Sequence, residues 1–453
     1  MPVDPRTTRP SRRLRRAPIC RAAAIAAGAL LSVASAPLSA QSLLQLYEAA
    51  HSYDATYLAA RALADSAIYR VEQTRALMRP SASMSASTSR SQNNPTVGEN
   101  FGSNTFGASL NGRQPLFNRG NVATIAQAER TLESALADLD TAEQDLILRL
   151  SQAYFDVLSA EDTLGTTRAS KAAISEQLAS AKRNFEVGTA TITDTREAQA
   201  RFDLATAQEI AANNDLVTKK IALDQLVGRD NVAPRQLAVP MALPETASIP
   251  VDELVSRATD EHPAVRRAQV AYDIALLETE KARAQRLPTV DAVATLQAGR
   301  GTIAANTTGN NTGACVGVQL NLPLYTGGAV QNRIRETIVL EERSRNELDA
   351  ARRAVTQATR QAYYTLQSAG AQVKALEAAE ASSQLALEAT QVGYRVGVRV
   401  NVDVLNAQSQ LYQTRRDLAR ARYDLLLATL RLRQASGRLV ATDVLGIDRL
   451  LVR

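Results

Sequence analysis

The chain contains one pattern twice, 209 residues apart, and this internal repeat is the strongest constraint on its fold. The matching positions are Val187, Gly188, Asp194 and Gly228 in the first half and Val396, Gly397, Asp403 and Gly437 in the second. The matches stay in phase over about fifty residues, and fixed self-similarity is the signature of repeated structural units. We therefore expect the two halves to build the same unit.

The first forty residues have the composition of an export signal. They hold seven arginines, the last at Arg21, then an apolar run from Ala22 and small residues up to Ala40. This order is typical of a secretory signal peptide, which predicts that residues 1–40 are removed. The apolar run is shorter than the roughly 20 residues that a membrane-spanning helix needs. Twin-arginine export through Arg12-Arg13 is the minor alternative.

Charge and motif content argue against nucleic-acid binding and catalysis. The first forty residues hold seven of the 52 Lys and Arg and one of the 46 Asp and Glu, so 45 of each sign remain. No basic footprint for nucleic acid is left. The only histidines are His51 and His262, and the chain lacks a phosphate loop, a His-Glu-x-x-His motif and a G-x-S-x-G motif. We expect no enzyme, no metal site and no cofactor.

Each half should begin with a helix, over residues 43–79 and 251–286, followed by two β-strands. Apolar residues alternate with polar or small ones at Val290, Ala292, Ala294, Leu296, Ala298, Val316, Val318 and Leu320, and more weakly at Ala82, Met84, Ala86, Phe106, Ala108 and Leu110. Strands of a membrane-spanning β-barrel have one apolar and one polar face over about ten residues. Soluble hairpins would show the same pattern. Polar loops are expected at 91–103 and 301–313.

A very long helix should follow each strand pair. Residues 121–186 and 329–395 contain no proline and together only three glycines. At 1.5 Å per residue, such helices would extend about 100 Å. Apolar residues recur every seven positions at Ile125, Leu132, Leu139, Leu146, Ala153 and Ala160, with Leu136, Leu150, Val157 and Leu164 in a second row, and at Leu348, Val355, Ala362, Ala369 and Leu376 in the second half. A heptad seam predicts coiled-coil packing, although an exposed structural rod would share it.

The repeated pattern predicts a turn at the end of each long helix. Gly188 and Gly397 would supply the positive φ of a helix stop, and shorter helices would return from Asp194 and Asp403. Asp194 followed by Glu197 predicts a capping box with Asp194 as the cap. Each half thus ends in an αα-hairpin whose tip, formed by Val187-Gly188 or Val396-Gly397, lies far from the strands.

Four strands per chain predict an oligomer if the strands enter a membrane. The smallest single-chain barrels have eight strands, and open sheet edges are not tolerated in lipid. Two chains would supply eight strands, which side chains fill, whereas three would supply twelve, wide enough for an aqueous pore. A homotrimer is the better prediction for a conduit.

The chain resembles the TolC family of outer-membrane efflux and secretion channels. The most specific stretches are Gly393-Tyr394-Arg395-Val396-Gly397-Val398-Arg399 and Val402-Asp403-Val404-Leu405-Asn406-Ala407. The resemblance implies an α+β membrane protein. Its long antiparallel coiled-coil helices and four strands per chain would form a trimeric 12-stranded β-barrel with a periplasmic α-helical tunnel. The repeats would cover 41–229 and 251–438, with the proline-rich linker 230–250 and the C-terminal segment 439–453 in the equatorial region.

The resemblance also implies a periplasmic gate at the tip. Members of the family close the tunnel with a Tyr and an Arg bonded to a Thr-Asp pair, and Tyr394, Arg399, Thr193 and Asp194 occupy these positions. We name these four residues the latch. The alternative is that neither residue takes part in a gate, so that Asp194 only caps its helix and Tyr394 only packs against neighbouring side chains. Where the family places two aspartates on the returning helix, this chain has Asp403 and Asn406, so a trimer would carry one carboxylate ring.

By resemblance, the chain would be the exit duct of a tripartite efflux pump or a type I secretion system. It would lie in the cell outer membrane, in contact with lipid, and work with a periplasmic adaptor and an inner-membrane pump. The alternative is a non-transporting periplasmic coiled-coil scaffold or adaptor, which would share the hairpins but leave the strands unexplained. The transported cargo is not encoded in any of these features.

Overall fold

The computed structural model describes residues 41–93, 101–238, 250–304 and 307–451. The first half comprises α1 (Leu43–Tyr53), α2 (Ala55–Arg75), β1 (Ser81–Asn93), β2 (Phe101–Phe117), α3 (Arg119–Glu186) and α4 (Ile192–Val227). The second half follows the same order with α5 (Val251–Glu261), α6 (Pro263–Ala284), β3 (Thr289–Ala304), β4 (Thr307–Asn321), α7 (Ala329–Arg395) and α8 (Asn401–Ala435), and α9 (Ala441–Asp448) comes last. The predicted signal peptide and most of the predicted linker lie outside the described residues and stay predictions.

The first helix of each half is broken, which corrects the expectation of one helix over 43–79. The carboxylate of Asp54 accepts a hydrogen bond from the backbone N–H of Tyr57 at 2.8 Å and caps the start of α2. Arg149 of α3 donates two hydrogen bonds of 3.1 Å to the same carboxylate. Burial raises the pKa of Asp54, but these hydrogen bonds outweigh it and hold the pKa below its ordinary value. In the second half, Pro263 opens α6, a position that proline tolerates.

The four strands form one antiparallel sheet in the order β1-β2-β3-β4. Register places Met84, Leu110, Leu296 and Ala314 side by side across it. The predicted apolar face is therefore confirmed as one continuous surface, on which Val316 is 86 % exposed in the single chain. The other face is polar. On it, the Ser85 and Ser109 hydroxyls lie 2.8 Å apart, and Arg113 forms an ion pair with Asp291 at 2.6 Å.

The strands are longer than predicted, so the expected loops at 91–103 and 301–313 are wrong in extent. β1 continues to Asn93, and β4 begins at Thr307, where Asn310 pairs with Arg300. Ladder hydrogen bonds join backbone groups, so a polar stretch rich in Asn, Thr and Gly pairs as long as its partner strand continues. Composition alone therefore predicted strands that are shorter than those in the structure.

The two long helices are continuous, as predicted, with 68 residues in α3 and 67 in α7. Each packs against the shorter helix that follows it, α4 on α3 and α8 on α7. Leu146, Leu150 and Val157 of the predicted seam are buried in α3, and Leu348 and Val355 in α7. Leu136 departs from the prediction, because it is 42 % exposed in the single chain.

The largest apolar core joins the two halves near the middle of the long helices. Tyr154 and Phe155 of α3 pack with Tyr423, Leu426 and Leu427 of α8. The aromatic rings of Phe155 and Tyr423 are stacked, with centroids 5.8 Å apart. The segment after α8 adds Leu439, Val444, Ile447 and Leu451 to this cluster, which we name the central core. The central core therefore holds α3 of the first half against α8 of the second half.

Candidate functional site at the helical tip

The two predicted turns form the end of the hairpins. Gly188 and Gly397 have φ values of 78° and 81°, in the left-handed region that favours glycine. The amide after each glycine donates a hydrogen bond back to the preceding helix, from Thr189 N to Asn184 O at 2.8 Å and from Val398 N to Gly393 O at 2.9 Å. The predicted glycine turns are confirmed, and the preceding Val187 and Val396 are both exposed.

The capping prediction has the correct motif at the wrong position. α4 begins at Ile192, and its cap is Thr191, whose hydroxyl accepts from the Asp194 N–H at 3.2 Å. The Asp194 carboxylate accepts in return from the Thr191 N–H at 3.1 Å. Asp194 is thus the third residue of the helix rather than its cap. Asp403 takes the equivalent place in α8, which begins at Asn401. Several threonines lie around Asp194, at positions 189, 191, 193 and 195, and the backbone geometry selects Thr191 as the cap.

Within one chain, Tyr394 and Arg399 of the latch have partners other than Thr193 and Asp194. The hydroxyl of Tyr394 accepts a hydrogen bond from Asn184 Nδ2 at 3.2 Å. Arg399 Nη1 lies 3.6 Å from Asp403 Oδ2, an ion pair between residues four apart in the chain. Thr193 is exposed. Within the described residues of a single chain, neither Tyr394 nor Arg399 bonds to Asp194. A latch between neighbouring chains is not represented in a single chain, so it stays a prediction.

Sequence reasoning missed Asn401, one of the residues that tie α8 to the first hairpin (α3–α4). Asn401 is only 3 % exposed. Its Oδ1 accepts a hydrogen bond from Gln177 Nε2 of α3, and its Nδ2 donates to the backbone carbonyl of Asp194 at 3.4 Å. One signal was present, because Asn401 aligns in the repeat with Ile192. A buried amide where the other half has an apolar side chain marks a specific contact.

The two predicted ring positions each have an arginine beside them. Asn406 Oδ1 accepts a hydrogen bond from Arg201 Nη2 of α4 at 3.0 Å, and Asp403 pairs with Arg399. Arg201 lies 4.0 Å from Glu197 as well. The local charge around Asp403 and Asn406 is therefore close to balanced, which weakens attraction for cations beyond the loss of one aspartate.

The described residues contain no cluster of three or more His, Cys, Asp or Glu side chains that could hold a metal ion. Within the same part of the chain, no helix combines the length and hydropathy needed to cross a bilayer.

Known proteins resemble this chain along most of its length. A family model described as "Outer membrane efflux protein" matches residues 46–229 and 254–438. The chain is 31 % identical over 423 residues to the outer membrane protein TolC of Vibrio cholerae, covering 93 % of this chain and 96 % of that protein. It is 32 % identical over 351 residues to the alkaline protease secretion protein AprF of Pseudomonas aeruginosa, covering 75 % and 71 %. The Campylobacter jejuni CmeC outer membrane channel shares the fold, with a TM-score of 0.76 at 16 % identity over 90 % of each chain.

Proposed function

Because the chain belongs to the outer membrane efflux protein family, we propose that it is the exit duct of a tripartite efflux pump or a type I secretion system. One observation carries the proposal. The same chain joins a sheet with an exposed apolar face to helices of 68 and 67 residues, which extend about 100 Å. Such a chain can anchor in the outer membrane and conduct across the periplasm without a catalytic step.

The sheet supports a homotrimer. β1 and β4 form the two edges of the four-stranded sheet, and unpaired edges are costly in lipid. Joining β4 of one chain to β1 of the next would close twelve strands around an aqueous pore. Outer-membrane lipid would then contact the apolar face, and the polar face would line the lumen.

Exposed apolar side chains at the tip support a periplasmic adaptor as the partner. Val187, Val396 and Val398 are exposed at the ends of the hairpins, and exposed apolar groups at one end of a rod favour docking of another protein. We propose that a periplasmic adaptor docks there and brings the inner-membrane pump. AprF is named for protease secretion. The proposed cargo is therefore either a secreted protein or a small molecule.

The test is to isolate the protein from cells and reconstitute it. The expected result is recovery with the outer membrane, a heat-labile trimer on a gel, and conductance in planar lipid bilayers. Recovery in the soluble periplasmic fraction as a non-conducting protein would favour the alternative of a scaffold or adaptor.

The latch predicts that Tyr394→Phe combined with Arg399→Ser opens the channel. These changes delete one neutral and one charged donor, and hydrogen bonds to charged groups contribute about 1.5–3 kcal/mol each. Purified mutant trimers should conduct several-fold more than wild type in planar bilayers. Asn184→Ala is the matched control, because it removes only the partner of Tyr394 within the chain. Wild-type conductance in the double mutant would argue against the latch.

The single carboxylate ring predicts that multivalent cations block conductance through the channel only weakly. Asp403→Ala should reduce this block further, with little change in resting conductance, because it removes the one carboxylate at the two ring positions. Block should already be modest in wild type, since Asn406 is neutral and Arg399 lies 3.6 Å from Asp403. The measurement is conductance against concentration of a trivalent cation. Unchanged block in Asp403→Ala would mean that this carboxylate does not face the pore.

A further inference from the structure

We propose that Arg90 of β1 and Arg300 of β3 bind the phosphate groups of lipid headgroups in the outer leaflet of the outer membrane. The lipid is a glycolipid that carries phosphate monoesters. The inference rests on the proposed function, because it requires the sheet to lie in the outer membrane as part of a closed barrel. It names a partner for the outer surface of that barrel at one boundary of the membrane.

Both arginines lie on the face of the sheet that carries the apolar side chains. Residues an even number of positions apart in one strand share a face. Arg90 is therefore on the face of Met84, and Arg300 is on the face of Leu296. Neither stretch of strand contains a register shift that would exchange the faces. The face that is proposed to contact lipid thus carries two cations.

These two arginines have no partner within the chain. Among the described residues of the four strands, they are the only charged side chains on the apolar face. The other two charged residues of the strands, Arg113 and Asp291, pair with each other on the polar face. Arg90 and Arg300 are both exposed, and neither side chain forms a hydrogen bond or an ion pair with another described residue. Their guanidinium groups are therefore available to an external anion.

Arg300 lies one membrane crossing away from the helical end of the sheet. Val290, at the start of β3, comes ten residues earlier. At about 3.3 Å per residue and a strand tilt of about 45°, ten residues rise about 23 Å. The apolar band of a membrane barrel is about 25 Å tall, and an arginine on its lipid side costs little near the interface. Arg300 therefore lies at the level of the headgroups rather than among the acyl chains.

The boundary at which both arginines lie is the outer one. Helices α3 and α7 leave the sheet at its opposite end, after β2 and β4, and they cross the periplasm in the proposed duct. Arg90 and Arg300 lie instead toward residues 94–100 and 305–306, which join the strands in pairs. Phe106 is exposed beside Arg300 on the same face, and aromatic residues flank the apolar band of barrels at the interfaces. The cations therefore face the outer-leaflet headgroups.

The strand order spaces the arginines regularly around a closed trimer. Arg90 and Arg300 lie on alternate strands, with β2 between them. Joining β4 of one chain to β1 of the next leaves one strand, β4, between Arg300 and the next arginine. Because strands are about 4.8 Å apart, successive arginines are about 10 Å apart across the strands. Two arginines per chain give six in a trimer, so a headgroup with two phosphates can contact two of them at once.

The chemistry of this belt favours phosphate monoesters. Arginine binds phosphate through two parallel hydrogen bonds, and a phosphate monoester carries close to two negative charges near neutral pH. The phosphodiester of a glycerophospholipid carries only one. Asn104 pairs with Arg90 and Asn310 with Arg300, both on the same face and both exposed. Their amides can donate to phosphate or sugar oxygens, which favours a phosphorylated glycolipid as the partner.

The first test compares lipids on the wild-type trimer. Purified trimer in a neutral detergent is titrated with bisphosphorylated lipid A, with the same lipid after phosphatase treatment, and with phosphatidylglycerol, and native mass spectrometry counts the bound lipid. Lipid A should bind about tenfold more tightly than either alternative, because only lipid A offers doubly charged phosphates to the arginine forks. Equal binding of the dephosphorylated lipid or of phosphatidylglycerol would overturn the proposal. Displacement of lipid A by an equal concentration of inorganic phosphate would overturn the assignment to a lipid.

The second test removes the two arginines. Arg90→Gln with Arg300→Gln should weaken binding of lipid A about tenfold, since charge-assisted hydrogen bonds are lost. Arg90→Lys with Arg300→Lys should retain part of the affinity, because the charge stays and the fork is lost. The matched control is Arg335→Gln with Arg345→Gln, which removes the same charge from exposed arginines of α7, outside the sheet. Wild-type affinity in the first variant would overturn the proposal.

Two further readouts separate the possible failures. The reversal potential in a salt gradient reports which face the arginines occupy, and a shift toward cations in Arg90→Gln with Arg300→Gln would place them in the lumen and overturn the inference. If that variant does not assemble, the lysine variant and the lipid comparison on wild type decide. Loss of the preference for lipid A in a trimer that still conducts counts against this inference alone. Absence of conductance in the wild type would instead count against the proposed function.

Discussion

Val316→Arg should prevent assembly of the trimer. Val316 is 86 % exposed on the apolar face of the sheet and pairs with Ala294 near the middle of β3. A cation on the lipid side of a barrel costs about 2–4 kcal/mol near the bilayer midplane, and a trimer bears this cost three times. The expected result is loss of the heat-labile trimer from outer-membrane extracts, with monomer recovered in its place.

Gln297→Arg is the matched control on the opposite face. Gln297 is exposed and lies between Ser109 and Gly313 on the polar side of the same sheet. An arginine there would face water in the lumen, so the trimer should assemble and its ion selectivity should shift toward anions. If both variants assemble equally well, either the assignment of the two faces or the membrane location of the sheet is wrong.

Phe155→Ala should destabilise the junction between the halves. Phe155 is 1 % exposed, packs in the central core and stacks on Tyr423. Truncation of a buried phenylalanine typically costs about 3–5 kcal/mol, because apolar contacts are lost and a cavity remains. The expected result is a clear fall in the temperature at which the purified trimer dissociates and unfolds, measured by the loss of helical circular dichroism.

Phe155→Leu tests whether the loss comes from packing at this position. Leucine keeps most of the apolar volume, so its cost should be about 1 kcal/mol. The alanine variant should also weaken the contact between the two halves, and its open probability should rise together with its loss of stability. Equal stability of Phe155→Ala and wild type would show that the central core does not hold the halves together.

The sequence predicted the features that depend on short stretches of backbone. The 209-residue repeat, the glycine turns at 188 and 397 and the proline-free helices each follow from local propensity. The two faces of β3 and β4 follow from alternation, because successive side chains in a strand point to opposite sides. Residue types within a few positions determine all of these features, so one sequence was enough to predict them.

The sequence also matched the tip to a family motif, but it did not show what each tip residue contacts. Asp194 was expected to cap its helix, whereas Thr191 does so. Tyr394 was considered as a partner of Asp194, whereas its hydroxyl meets Asn184 within the chain. These contacts change when the relative position of the two hairpins changes by about an ångström. Several polar groups of similar chemistry also compete for each partner.

The tertiary structure alone decided which distant side chains support the break between α1 and α2 and where the halves meet. Arg149, 95 residues away, donates a hydrogen bond to the Asp54 carboxylate at the break between α1 and α2. Asn401 and Leu405 of α8 contact side chains that lie 200 or more residues earlier in the chain. The sequence by itself therefore determined the repeated units and their lengths, since those arise from local backbone preferences. Only the packed chain decided which side chains join the units, because that choice depends on contacts between distant segments.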